Sequence, residues 1–366
     1  MKFATIHPVR ADSGAHRPAG QNPGGHDPTG HDPAGPDPTT GRAAVVVGDD
    51  RDSAVAHVVP GHDLDDLVRL GLPAALEIGQ RAVREVAPVP LSQVRLGVPV
   101  RPGAVRDFVA FEEHVEGVRR GVEGVAGVPQ RWYAAPTFYF TNPHRLLADG
   151  DDVAVPGGSV ALDLELEVGA VVGAQVRDAD PAAGAAAIFG YTLVDDFSAR
   201  DLQGAEMQVG LGPCKGKDFA TSLGPWIVTA DELADRHDDD GFLDLACRVE
   251  IDGRLVGADL LSHMGWTFGT LVAYASRDSL VRPGDVLGSG TTGNGGCLAE
   301  LWGRRGERTP PPLTPGSVVT ITVEGLGSLT NRVVAGREPA PLPPPRRFDA
   351  AQRAARRAAA GLGEAG

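Results

Sequence analysis

Leu162-Asp163-Leu164-Glu165-Leu166-Glu167-Val168 runs directly into Gly169-Ala170-Val171-Val172-Gly173. Leu162, Leu164, Leu166 and Val168 alternate with carboxylates, the period of two expected of a strand with one apolar face. Asp163, Glu165 and Glu167 then share the other face, neighbours about 7 Å apart. No Lys or Arg is interleaved to neutralise them. In water this costs little, because each acid is hydrated and the repulsion is screened; spacing alone favours such a solvated face. Enclosed, a neighbouring pair repels by about 2 kcal/mol at an effective dielectric of about 20. Desolvation adds several kcal/mol per charge. A hard cation is the usual remedy, since carboxylate oxygens suit magnesium or calcium.

The 366 residues are enough for two domains, or for one large domain with appendages, and 42% of them are apolar. A net charge of −14 disfavours nucleic acid and anionic membranes as partners. It would also repel an anionic substrate, so a pocket for an acid needs local cations or a metal. Cys214, Cys247 and Cys297 cannot all pair internally and show no metal-ligand spacing, the usage of reduced thiols. The first residues hold no apolar run of signal length, and no segment is long enough to span a membrane. A cytoplasmic protein is expected.

Around the acidic strand the chain reads as β-rich. Residues 2–6 form a short strand, after which residues 13–42 turn into a Gly/Pro/His/Asp repeat of five residues, such as Gly25-His26-Asp27-Pro28-Thr29. Pro and Gly punctuate it too often for a helix or a ladder, so a disordered insertion is expected. Val45-Val46-Val47 resumes a strand that can pair with residues 2–6, and residues 64–86 have helical spacing broken near Gly71-Leu72-Pro73. Asp107 can cap a helix with the stripe Phe108, Phe111, Val115 and Val118, placing His114 on its own face. Taken alone, His114 reads as a surface histidine. Residues 136–143 form an aromatic strand containing Tyr139. Residues 188–194 form another, which ends in the crowded Asp195-Asp196-Phe197-Ser198-Ala199-Arg200-Asp201-Leu202-Gln203. Helix caps are one reading of that crowd, and chemistry at a strand end is the other. Beyond residue 241 the pattern is mostly β, with an Asp252-Gly253 hairpin turn. Residues 336–345 are Pro-rich and 346–360 form a peripheral Arg/Ala helix.

Five strings line up in order with a known family. They are 162–167, 196–203, Leu211-Gly212-Pro213…Gly216-Lys217-Asp218-Phe219, Ser289-Gly290-Thr291 and Leu326…Asn331-Arg332-Val333-Val334. Residues from about 100 to 335 thereby resemble the fumarylacetoacetate hydrolase family. The resemblance implies an α+β, β-rich fold, a mixed β-sandwich roll with a small N-terminal β domain. The chain then divides into 1–95 (that domain, interrupted by the repeat), 96–335 (catalytic) and 336–366 (linker and peripheral helix). A homodimer binding Mg2+, or Ca2+ or Mn2+, is implied.

By the same resemblance Glu165, Glu167, Asp196 and Asp107 are metal ligands. His114 is the catalytic histidine, Glu300 the acid that orients it, and Lys217, with Gln203, an oxyanion stabiliser. Arg200, Gln203, Tyr139 and Thr291 contact substrate, with Arg200 pairing with its carboxylate. The implied reaction is metal-dependent hydrolysis of a carbon–carbon bond in a fumarylacetoacetate- or acylpyruvate-like 1,3-diketo acid. The alternative is a decarboxylase, isomerase or dehydratase of a 2-oxo acid. A non-catalytic scaffold that works through the repeat is a third reading, disfavoured by the full set of acids and bases.

Overall fold

The structure, a computed structural model, describes residues 1–8, 41–49 and 51–362. The repeat lies outside the described residues. Of the insertion expected over 13–42 only Gly41 and Arg42 are described, and Arg42 already opens a strand.

β1 (Lys2–Pro8) and β2 (Arg42–Val47) pair antiparallel, Lys2 opposite Val46 and Ile6 opposite Arg42, so the two flanks of the repeat meet in one ladder. β3 (Val55–Val58) extends it. Helices α1 (Leu64–Leu70) and α2 (Leu72–Glu85) follow, separated at Gly71. That residue has φ of 85°, a conformation favouring glycine, while Pro73 falls in the first turn of α2, where its missing N–H goes unmissed. β4 (Val89–Pro90) and β5 (Val94–Gly97) return to the sheet. The expected N-terminal domain therefore adds strands to a larger sheet, for Lys2 of β1 also lies opposite Val228.

Next come β6 (Val105–Phe108), α3 (Glu112–Val118), β7 (Phe138–Thr141), β8 (Leu146–Leu147) and β9 (Asp152–Ala154). The acidic stretch contributes β10 (Leu162–Asp163) and β11 (Leu166–Val172). After it stand α4 (Pro181–Ala186), β12 (Ile188–Asp195), β13 (Ser198–Ala199), α5 (Arg200–Met207) and β14 (Thr221–Thr229). The remainder is β15 (Ala246–Ile251), β16 (Arg254–Leu260), α6 (Phe268–Ser276), β17 (Val286–Gly288), α7 (Leu298–Arg305), β18 (Val318–Val323), β19 (Gly327–Val334) and α8 (Ala350–Ala359), which buries no residue.

Twelve strands make one mixed sheet, running β4-β3-β2-β1-β14-β12-β11-β17-β6-β7 with β5 on β1 and β8 on β14. Five more form β16-β15-β18-β19-β9, and β10 pairs with β13 alone. Leu164, Leu166, Val168, Ala170 and Val172 of the acidic stretch belong to the main hydrophobic core, together with Leu193, Leu271, Leu287 and Ile321. The carboxylates between them are thus carried into the interior with these apolar side chains.

Candidate active site

Period two does not run unbroken through the acidic stretch. β10 pairs with β13 and β11 with β12 and β17, so Leu164-Glu165 bridge two different ladders. Every residue from 161 to 172 is buried. The solvated acidic face favoured by spacing is therefore not what forms, because both faces of this segment are covered by sheet and helix.

The three acids are satisfied in three ways. Asp163 accepts the backbone N–H groups of Leu298 (2.8 Å) and Ala299 (2.9 Å) at the start of α7, and the Nε of Arg200 at 2.8 Å. An anion is favoured at a helix N-terminus, and here it is also ion-paired. Glu165 pairs with Arg200 at 2.6 Å and Lys217 at 2.5 Å. Burial pushes its carboxyl up, but Lys217 and then Arg200 outweigh that and hold it below the usual range. Glu167 accepts a long bond from Thr291 Oγ1, 3.4 Å, and its buried Oε2 faces the Asp107 carboxyl with no other donor.

Asp107 meets Glu167 here. It belongs to β6, opposite Gly288 of β17, and does not cap a helix: α3 begins at Glu112 behind Phe111. The local helical spacing is overridden because β6 is paired on both sides, with β17 and β7. A Cβ on Gly288 would stand 2.6 Å from Asp107 Oδ1 and 2.8 Å from Glu167 Oε2, so only glycine lets the two carboxylates face one another. Asp107 Oδ1 is also buried without a partner. Burial, with the nearby Asp196, pushes the Asp107 carboxyl up to about 7. Burial, then Asp107, holds that of Glu167 well above its ordinary value. One ligand atom from each of Asp107, Glu165 and Glu167 lies within 4.8 Å of the others. Orphaned oxygens on mutually repelling buried acids fit a divalent cation.

Asp196, the fourth expected ligand, accepts bonds from Lys217 Nζ and Tyr139 OH at Oδ2 and from Thr221 Oγ1 (3.1 Å) at Oδ1. Lys217 thus bridges Glu165 and Asp196, which overcome the effect of burial and keep it protonated. Arg200 is equally committed, to Asp163, Glu165 and, at 3.0 Å, Gln203 Oε1. A substrate carboxylate would therefore share Arg200, which lines the cleft, with two buried acids.

His114 is buried in α3, its Nδ1 3.7 Å from Cys297 Sγ. Burial lowers its pKa to about 4, so the ring is neutral near pH 7. α3 lies close on α7, where a Cβ on Gly303 would come within 2.0 Å of Gly117 O. Glu300, expected to orient His114, accepts instead from Gly295 N at 3.1 Å and Arg304 at 3.3 Å, and its Oε2 is buried without a partner. Burial pushes that carboxyl up to about 7.

A cleft of about 250 Å³ is lined by Asp107, His114, Tyr139, Glu165, Glu167, Arg200, Gln203, Lys217 and Thr291. Asp196 stands behind it through Lys217 and Tyr139, and Glu300 stands behind Cys297. Sequence reasoning overlooked Cys297 and Thr221. Cys297 had a signal, as the residue just before a helix with Glu300 in its first turn. Thr221 had none.

Residues 103–334 match the family model for the fumarylacetoacetate (FAA) hydrolase C-terminal domain, and the chain belongs to that family. Fumarylacetoacetase of Arabidopsis thaliana is 30% identical over 259 residues, 58% of this chain and 61% of that one. A relative from Burkholderia cenocepacia is 35% identical over 184 residues, 50% of this chain. The chain spans 60% of that relative's length. The fold is similar to that of maleylpyruvate hydrolase from Sphingobium sp. SYK-6 in complex with manganese(II) and pyruvate (TM-score 0.61, 20% identity, 92% of this chain and 100% of that one). It is also similar to 5-carboxymethyl-2-hydroxymuconate delta-isomerase from Mycobacterium smegmatis (TM-score 0.59, 22% identity, 92% and 100%). No helix among the described residues is long and apolar enough to cross a membrane.

Proposed function

We propose that the protein is a metal-dependent hydrolase that cleaves a carbon–carbon bond in an acylpyruvate- or fumarylacetoacetate-like 1,3-diketo acid. The observation that carries this reading is the pair of unpartnered buried oxygens, Asp107 Oδ1 and Glu167 Oε2, beside Glu165 in a cleft that also holds a neutral histidine. Asp107, Glu165 and Glu167, with Asp196 adjoining, would hold Mg2+ or Mn2+, whose chemistry when bound is Lewis-acid stabilisation of the negative charge that develops on the departing oxo-acid enolate. His114, uncharged and inside the cleft, takes a proton from water at Nε2 as the water oxygen adds to the distal carbonyl. Breaking the bond between that carbon and its neighbour releases a carboxylic acid. The departing carbon then collects a proton, giving a 2-oxo acid from an acylpyruvate or acetoacetate from fumarylacetoacetate. Lys217 keeps its charge beside the reacting oxygens, and the Gln203 amide N–H groups remain to donate, since its Oε1 is taken by Arg200.

A second reading, a 2-oxo acid isomerase or decarboxylase, is supported by the bonds of Glu300 to Gly295 and Arg304, which leave His114 without a carboxylate to polarise it. Neither of those reactions needs an attacking water. NMR product analysis on acetylpyruvate, fumarylacetoacetate and oxaloacetate, with Mn2+ or with chelator, separates the readings. Pyruvate plus acetate, lost on chelation, is the expected result. Carbon dioxide from oxaloacetate with the diketo acids left intact would replace hydrolase by decarboxylase.

A further inference from the structure

Beside the cleft lies a second, larger cavity of about 590 Å³. Phe138, Tyr139, Pro213 and Lys217 line both, so one molecule can occupy the two. Its wall is the edge strand β7 on one side and the loop around residues 211–218 on the other. Two side chains on this wall are apolar and held open to water: Phe140 is 66% and Leu211 83% exposed. The Phe138 and Phe140 rings meet edge to face, centroids 5.6 Å apart.

The charges tell against an anion in this space. Lys215 is ion-paired with Asp218, and Lys217 with Glu165 and Asp196. Arg106, behind the two phenylalanines, is buried and pairs with Asp285 at 3.3 Å. Each of these cations already has its acid, Lys215 from Asp218 of the same lining. A carboxylate placed here would lose water without gaining a free cation. An aromatic or branched apolar group would instead cover Phe140 and Leu211, removing apolar surface from water on both sides.

We propose that this cavity receives the distal, acyl arm of the substrate and selects a neutral apolar or aromatic arm over one that ends in a carboxylate. The proposal rests on the diketo-acid reading above and narrows it to aroyl- or alkanoylpyruvates, as against dicarboxylic ones.

The test compares kcat/KM for acetylpyruvate, benzoylpyruvate and fumarylpyruvate on the Mn2+-loaded full chain. Calorimetric affinities are measured alongside for two compounds that lack the second carbonyl and cannot be cleaved, 2-oxo-4-phenylbutanoate and 2-oxoadipate. The phenyl arm is expected to beat the carboxylate arm by about tenfold or more in both readouts. Leu211→Asp is expected to cut benzoylpyruvate kcat/KM about tenfold while changing that for acetylpyruvate less than about twofold. Phe140→Ala is expected to shift the phenyl-to-methyl ratio the same way. Equal or better use of fumarylpyruvate, or an unchanged ratio in both variants, would overturn the selectivity and leave the hydrolase intact. Failure to cleave any of the three would overturn the hydrolase, and the calorimetry would still decide the arm.

Discussion

Cys297 Sγ lies 3.7 Å from His114 Nδ1, and the same sulfur accepts the backbone N–H of Glu300 at 3.4 Å. Cys297 is the N-cap of α7, so one thiol ties the start of that helix to the histidine ring. Burial, with Asp163 nearby, holds the thiol well above its ordinary pKa, so it stays protonated. For His114 to act as a base at Nε2 its proton must sit on Nδ1, with the sulfur accepting. Cys297→Ala should lower kcat by about tenfold with little change in KM, and Cys297→Ser should restore part of it. Glu300→Gln, whose bonds go to Gly295 and Arg304, should cost less. Steady-state kinetics on a cleavable diketo acid reads all three, and a larger loss for Glu300→Gln would return the orienting role to the carboxylate.

Asp107 and Glu167 give the metal-free protein a pH dependence of definite sign. Both carboxyls are raised in the folded state, Asp107 from 3.8 to about 7. Below pH 3.8 both states hold the proton and nothing is gained or lost. From there to about pH 7 the unfolded chain releases protons that the folded one retains, so stability falls as pH rises. Above that range the full penalty remains unless a cation replaces the protons. His114, lowered from 6.5 to about 4, acts in the opposite sense at lower pH, so thermal melts in chelator should give a lower Tm at about pH 8 than at about pH 6.5, with Mn2+ reversing the difference. Glu167→Gln should stabilise the chelated protein at the higher pH by about 1–3 kcal/mol and weaken the response to Mn2+.

How far the site was legible follows from which contacts are local. The alternation of Leu162 to Val168 reads as one strand and poses the question of a cation, whereas Glu165 falls between β10 and β11. It could not say that Asp163 serves the start of α7, because Leu298 and Ala299 come much later in the chain. Asp107 followed by apolar residues at helical spacing reads as a cap, yet the partners that make it a strand residue, Val286 to Gly288 and Phe138 to Thr141, are distant in sequence. The pairing of residues 2–6 with Val45-Val46-Val47 was readable because both runs are β-branched or apolar and the repeat between them cannot be buried. Arg200 was readable as a cation among acids, and Lys217 came to the site only through the family resemblance. That each is already shared between two carboxylates is a fact of three dimensions.

Asp163 is fully buried between the α7 N-terminus and Arg200. Asp163→Asn keeps one acceptor oxygen, for Leu298 N–H, but turns an amide N–H toward Ala299 N–H and Arg200, and it removes half of the charge that Arg200 is buried against. Breaking a buried pair from one side costs about 3–5 kcal/mol. Urea unfolding should show a loss of this size in the midpoint with an unchanged slope. A loss below about 1 kcal/mol would mean that Glu165 alone satisfies the guanidinium.

Lys217 separates Glu165 from Asp196. Lys217→Met keeps a long apolar side chain and removes the ammonium, leaving two buried acids facing each other. In chelator this variant should lose about 3–5 kcal/mol of stability. A divalent cation near Glu165 can supply the missing charge, so the Tm increase on adding Mn2+ should be larger in the variant than in the parent. The comparison is made without substrate, so it reads the charge balance and not turnover. An equal increase in both proteins would mean that the cation does not take over the charge of the lysine.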